Sequence, residues 1–204
     1  MVKKRVGVLA LQGDVREHSR AIQQSGAVSV SVKRQEDLAS IDALIIPGGE
    51  STTIGKLLRI FELLDPLKKS ISEGLPVFGT CAGMILLAKD VIDGSHGQET
   101  IGTMDITVRR NAFGRQVDSF EKSLDLSNIG AGSLTAVFIR APWIEKQGSN
   151  VQALASVESG NESHRESHVV LARQDRQLAA SFHPEILEGQ RYEVHEYFIR
   201  EVAS

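Results

Sequence analysis

The chain has 204 residues, with 41% apolar and 24% charged side chains, which suits one domain with a sizeable core and matches ordinary soluble globular proteins; no internal repeat or low-complexity segment stands out. A formal net charge of -3 with no basic stripe argues against a nucleic-acid partner, and no apolar run is long enough to span a membrane. One cysteine excludes an intrachain disulfide and fits a reducing cytoplasm.

Residues 5–11 are apolar almost throughout, which predicts a first strand buried on both faces, as in a parallel sheet. The basic start Met1-Val2-Lys3-Lys4-Arg5 is not expected to open a secretory segment, because the apolar run after it breaks too early, at Gln12-Gly13-Asp14. Asp14 reads as an N-cap, with Glu17 completing a capping box, for a helix that runs to about Ser25 and stops at Gly26. Strands are expected over 28–32 and 42–46, the latter ending in Pro47-Gly48-Gly49. Residues 57–72 should be mostly helical, interrupted near Asp65-Pro66. A strand over 76–79 leads into a helix over about 82–89. This alternation predicts a doubly wound α/β sheet.

After Asp90 the pattern changes. Residues 93–98 read as a loop, and strands are expected over 106–109, 136–140, 151–157, 169–173 and 178–181 with little helix between them. That predicts an antiparallel extension of the sheet, not a second domain. The polar stretch 161–168 reads as a surface loop and 191–202 as a closing amphipathic helix. The expected fold is α/β: a single domain over 1–204, with three layers and a mostly parallel, doubly wound sheet.

The chemistry gathers at Gly79-Thr80-Cys81-Ala82-Gly83. A short apolar strand ends in a glycine two residues before Cys81, and another glycine follows two residues after it. This is the spacing of a nucleophile elbow with Cys in place of Ser. The turn stands the thiol clear of the backbone at the start of a helix, where a thiolate is favoured. A lone Cys is more often a small buried hydrophobe; the paired glycines and the strand before them reverse that preference. A base is available at His183-Pro184-Glu185, after the apolar segment 178–182. Across an extended link Glu185 falls on the same side as His183 and can hold one ring nitrogen, leaving the other for Cys81.

Gly79-Thr80-Cys81-Ala82-Gly83 with a late His183-Pro184-Glu185 resembles the triad-type, class I glutamine amidotransferases, whose fold is flavodoxin-like. Within them the chain is similar to the glutaminase subunits of pyridoxal 5′-phosphate synthase. The residues that carry this are Leu11-Gln12-Gly13, Val15-Arg16-Glu17-His18, Pro47-Gly48-Gly49-Glu50-Ser51-Thr52-Thr53, the segment 110–120 from Arg110-Asn111 to Ser119-Phe120, and Val137-Phe138-Ile139-Arg140-Ala141-Pro142.

On spacing alone Gly48-Gly49 is equally a plain turn or a backbone oxyanion loop. The resemblance implies the second, with Gly48, Gly49 and the amide of Ala82 around the oxyanion and Gly49, Glu50 and Ser51 against glutamine. Arginines at strand ends are usually solvated. Here the resemblance implies that Arg110, Ile139 and Arg140 line the glutamine pocket, where a guanidinium matches an α-carboxylate. Arg110 is preferred over Arg109 because it directly precedes Asn111. The resemblance further implies L-glutamine as substrate, no cofactor or metal, and a synthase (lyase) subunit as partner in a large hetero-oligomer. The partner contact would involve Gln12, Arg16, Glu17 and His18. His164 and His168 are spaced to share a metal on a helix, but their polar segment supplies no third ligand, so solvated loop residues are expected. The sequence departs from the relatives' usual pattern at Asp14, where a small residue is usual, at Arg109, where Glu is usual, and in a longer stretch around 161–168. The alternatives are a glutaminase serving another synthase, a cysteine peptidase of related fold, and a non-catalytic scaffolding subunit. The complete Cys81, His183, Glu185 set argues against the last.

Overall fold

The computed structural model describes residues 3–95, 97–113, 119–161, 164–186 and 191–204. His96 and the 114–118 part of the 110–120 motif therefore lie outside the described residues. The first half runs β1 (Arg5–Leu9), α1 (Val15–Gln24), β2 (Val28–Val32), α2 (Gln35–Leu38), β3 (Ala43–Ile46), α3 (Ser51–Ile60), α4 (Leu64–Ser72), β4 (Val77–Thr80) and α5 (Ala82–Leu87). The second half is β5 (Ala88–Ile92), β6 (Met104–Arg109), β7 (Ser119–Asp125), β8 (Ser133–Ile139), β9 (Trp143–Gln147), β10 (Gln152–Asn161), β11 (His164–Gln174), β12 (Gln177–Ala180) and α6 (Glu193–Tyr197), which continues as a π-helical turn over Phe198–Val202.

Among the described residues the main sheet has the order β2-β1-β3-β4-β12-β11-β9-β6-β5, with β10 paired to β11. From β2 to β12 every pairing is parallel. β3 and β4 are buried throughout, as strands covered on both faces must be. From β12 to β6 the pairings are antiparallel, and β5 rejoins parallel to β6. One face carries α1, α6 and the β7–β8 hairpin, packed around Phe78, Phe138, Phe182 and Phe198. The other carries α3, α4 and α5, packed around Leu44, Leu58, Leu67 and Leu86. The expected α/β architecture with its antiparallel extension is present.

Several boundaries differ for identifiable reasons. α3 starts at Ser51 because the Glu50 carboxylate caps it, accepting from the amides of Thr52 and Thr53 at 3.2 and 2.7 Å. The helical break falls at residues 61–63, not at Pro66, which sits in the first turn of α4 where its missing N–H costs nothing. α5 ends at Leu87 and passes directly into β5. In its described residues the stretch 161–168 is strand and not the expected loop: β10 reaches Asn161 and β11 starts at His164, paired antiparallel with Asn161 opposite His164. His168 is correspondingly not solvated; its ring stacks on Trp143 with centroids 3.6 Å apart and bonds Ser159 Oγ at 2.7 Å.

Candidate active site

The elbow is built as its glycines require. A Cβ on Gly79 would lie 2.5 Å from the Gly83 carbonyl group, and one on Gly83 would lie 2.2 Å from the Ile46 oxygen. Only hydrogen fits at either place, so α5 can fold back closely over β4 and β3. Cys81 then takes φ 48° and ψ -102°, a strained conformation for a residue with a side chain, and it is 8% exposed. Two other strained residues, Asn111 (φ 46°) and Arg140 (φ 42°), line the same cleft, joined through the Ala112 amide and the Ala141 carbonyl at 3.0 Å.

Strand register brings His183 to Cys81. β12 lies parallel to β4 with Ala180 level with Thr80, and the Cys81 amide donates to the Ala180 carbonyl at 2.8 Å. The chain leaving β12 is then fixed where the His183 amide donates to the Val137 carbonyl of β8 at 2.9 Å. His183 and Glu185 lie in a turn, with the Ile186 amide on the His183 carbonyl at 3.2 Å, and not in the extended link expected. The carboxylate still reaches: His183 Nδ1 is 2.7 Å from Glu185 Oε1. That leaves Nε2 as the ring nitrogen available to Cys81.

A second carboxylate meets the same ring. Asp14 Oδ2 is 3.4 Å from His183 Nδ1. The Asp14 side chain therefore serves the site and makes no capping hydrogen bond to α1, which corrects the capping-box expectation. Burial alone would push His183 down, but hydrogen bonds with Asp14, Cys81 and Glu185 outweigh it and hold the imidazole up at about 12. An imidazolium beside a thiol is the charge partner that a thiolate needs. Burial pushes the Glu185 carboxyl up, opposed by its bond to His183. Asp14, His183 and Glu185 each place a ligand-type atom within 4.8 Å of the others. Those atoms are already engaged with one another, so an ion here would have to break the His183–Glu185 bond.

The cleft beside Cys81 has a volume of about 350 Å³. Gly49, Glu50, Ser51, Arg110, Ile139 and Arg140 all line it, together with the expected oxyanion residue Ala82. Arg110 reaches Glu50 Oε1 at 3.3 Å and Gln98 Oε1 at 3.0 Å, whereas Arg109 turns away to Asp93 and Glu145. Hydrogen bonds from Thr52 and Thr53 overcome partial burial and keep the Glu50 carboxylate ionised, at about 2. Gly48 stands one step back: its carbonyl accepts from the Asp14 amide at 3.2 Å, which sets the orientation of the Gly48–Gly49 peptide. The Cys81 thiol lies 3.8 Å from the Ile139 carbonyl.

The four residues expected at a partner surface separate. Arg16 is exposed on α1 and Glu17 half-buried. Gln12 lines the cleft, its Oε1 accepting from the Glu50 amide at 2.8 Å. His18 is fully buried and offers no side-chain surface to a partner. It lies against Thr80, Glu185 and His195, a cluster that sequence reading missed along with the turn of Asp14 into the site.

A model of the SNO glutamine amidotransferase family matches residues 8–204. The chain is 54% identical over 202 residues to the pyridoxal 5′-phosphate synthase subunit PdxT of Acidothermus cellulolyticus, covering 99% of this chain and 95% of that one. It is also 54% identical over 200 residues to PdxT of Rhodococcus jostii, covering 98% and 97%. A crystal structure of a glutamine amidotransferase superposes with a TM-score of 0.85 at 47% identity, covering 97% of this chain and 98% of that one. A GMP synthase subunit from Thermoplasma acidophilum, at 16% identity and a TM-score of 0.63, shares the fold. The elbow at Cys81, the register that delivers His183 and the extent of these matches agree: the chain belongs to the SNO glutamine amidotransferase family.

Proposed function

We infer that this chain is the glutaminase subunit of a pyridoxal 5′-phosphate synthase, hydrolysing L-glutamine to L-glutamate and ammonia and passing the ammonia to a synthase partner. Residues 1–204 act as one glutamine amidotransferase domain, a reading supported by the family match over 8–204. The observation that carries the chemistry is Cys81 on its strained elbow facing an imidazole that two carboxylates hold protonated.

Cys81 thiolate attacks the side-chain amide carbon of glutamine. The oxyanion forms beside the amides of Gly49 and Ala82. His183, as imidazolium, gives its proton to the leaving nitrogen, and the C–N bond breaks to release ammonia. The neutral His183 then takes a proton from water, whose oxygen attacks the thioester carbonyl. Thiolate and glutamate leave, and the imidazolium is restored. Glu185 fixes the ring throughout. Arg110 and Arg140 suit the substrate α-carboxylate, and Glu50 suits its ammonium group. The reading places the chain in the cytoplasm, where a nucleophilic thiol stays reduced. The exposed Arg16 and neighbouring Glu17 on α1 support a docking face for the synthase close to the Gly48–Gly49 loop, so turnover is expected to be weak alone and strong in the complex.

The test is Cys81→Ala and Cys81→Ser, assayed as glutamate formed in the presence of the synthase. Both are expected to abolish hydrolysis and keep the folded circular-dichroism spectrum. A glutamine-analogue electrophile should label wild type at Cys81 alone. Residual hydrolysis in the alanine variant would overturn the mechanism.

A further inference from the structure

A buried polar cluster lies behind Glu185, and the triad reading does not use it. The carboxylate has two oxygens. Oε1 accepts from His183, while Oε2 is buried and accepts no hydrogen bond among the described residues. The ring nitrogen facing it is His18 Nε2 at 3.4 Å. That nitrogen is also 3.0 Å from Thr80 Oγ1, on the residue before the nucleophile. The other nitrogen of His18, Nδ1, is 2.9 Å from His195 Nε2. Both histidines are fully buried, and His195 Nδ1 has no partner among the described residues.

Hydrogen-bond accounting fixes where the protons sit. Two ring nitrogens 2.9 Å apart share one proton. If His18 Nδ1 donated it, neutral His18 would turn a bare Nε2 lone pair toward the Glu185 carboxylate, and His195 would bury an N–H with no acceptor. If His195 Nε2 donates, His18 Nδ1 accepts and Nε2 carries a hydrogen toward Thr80 Oγ1 and Glu185 Oε2. Only a lone pair on His195 Nδ1 is then left over, and no buried donor is orphaned. Burial, with repulsion from the neighbouring imidazoles, pushes His18 well down, and burial holds His195 at about 3, in line with two neutral rings.

We propose that His18, with its tautomer set by His195, is a positioning residue for the glutaminase. Its Nε2–H bonds the Thr80 hydroxyl at 3.0 Å and presents its positive edge to the second oxygen of Glu185 at 3.4 Å. One ring thus ties the acid of the triad to the strand end that carries the thiol. Loosening it lets Glu185 rotate, and His183 with it. The inference rests on the assignment of Glu185 as the orienting acid.

The test is a double-mutant cycle in the chain assembled with its synthase. His18→Leu is expected to lower kcat about tenfold to a hundredfold, the range found when hydrogen-bond partners of metal-ligating side chains are removed, with KM for glutamine unchanged. His18→Gln, whose amide N–H can reach the place of Nε2, should recover most of the loss. In a Glu185→Gln background His18→Leu should cost less than about twofold more, because residues acting through one another are not additive. Equal losses in both backgrounds, with Glu185→Gln itself impaired, would overturn the inference alone. An unimpaired Glu185→Gln would overturn the triad assignment and the inference with it. If His18→Leu does not fold, ¹⁵N spectra of histidine-labelled wild type decide: Nε2–H on both His18 and His195 is expected, and Nδ1–H on His18 refutes the proposal.

Discussion

The amide of Cys81 donates to the carbonyl of Ala180 at 2.8 Å, so the segments carrying Cys81 and His183 leave two adjacent parallel strands at the same level. Their approach depends on strand register rather than on any flexible loop between them. A one-residue slip of β12 would turn its alternate side chains to the opposite face. The behaviour of variants follows from this shared frame.

His183→Asn should lower glutamate formation by about 10³-fold or more, since in the proposed mechanism both proton transfers run through this ring. Glu185→Gln should lose less, on the order of 10², because the amide still occupies the place of Oε1 but cannot support an imidazolium charge. Steady-state kcat in the complex ranks the two variants. The reverse order would remove Glu185 from its role.

Asp14→Ala removes one of two carboxylates beside His183 Nδ1. It should leave the enzyme active, since its backbone bond to Gly48 does not need the side chain. The imidazolium loses a partner, so the alkaline limb of the kcat/KM profile should move to lower pH. An unmoved limb would show that Glu185 alone sets the charge of the ring.

Gly83→Ala places a methyl group 2.2 Å from the Ile46 carbonyl oxygen, a rigid backbone atom. α5 must move away from β3, at a cost of about 1–3 kcal/mol, as for other overpacked sites. Chemical denaturation should show that loss, accompanied by a fall in kcat because Cys81 opens the same helix.

The histidines set opposite slopes for stability against pH. His18 and His195 are buried neutral; unfolded, each binds a proton below about 6.5, so stability should fall as pH drops from there, for His195 down to about 3. His183 is raised to about 12, so the stability it contributes is complete below about 6.5 and is lost as pH rises toward 12. Thermal midpoints across pH should show both slopes. His183→Asn should flatten the alkaline one and His195→Phe the acid one.

The parallel half of the fold was legible because its strands are apolar runs punctuated by glycine and proline. β5, β7 and β9 escaped notice because charged residues interrupt them: Lys89 and Asp90, Glu121 and Lys122, Glu145 and Lys146. Such strands are stabilised by neighbours that a linear reading does not reveal. Cys81, His183 and Glu185 announced themselves through local spacing. His18 did not, since its partner His195 lies 177 positions away and nothing beside it in the chain marks it as buried. Asp14 misled because the residue type that caps a helix is also one that pairs with an imidazole.

Among the described residues β12 is the last strand, yet it sits at the centre of the sheet, between β4 and β11. On the ribosome, β4 emerges roughly a hundred residues ahead of the strand that will cover its open edge. Without β12 the described sheet would be divided between β4 and β11, and Cys81 would lack His183 beside it. A chain lacking β12 would therefore carry Cys81 at the end of an uncovered strand edge, without the His183 imidazole beside it.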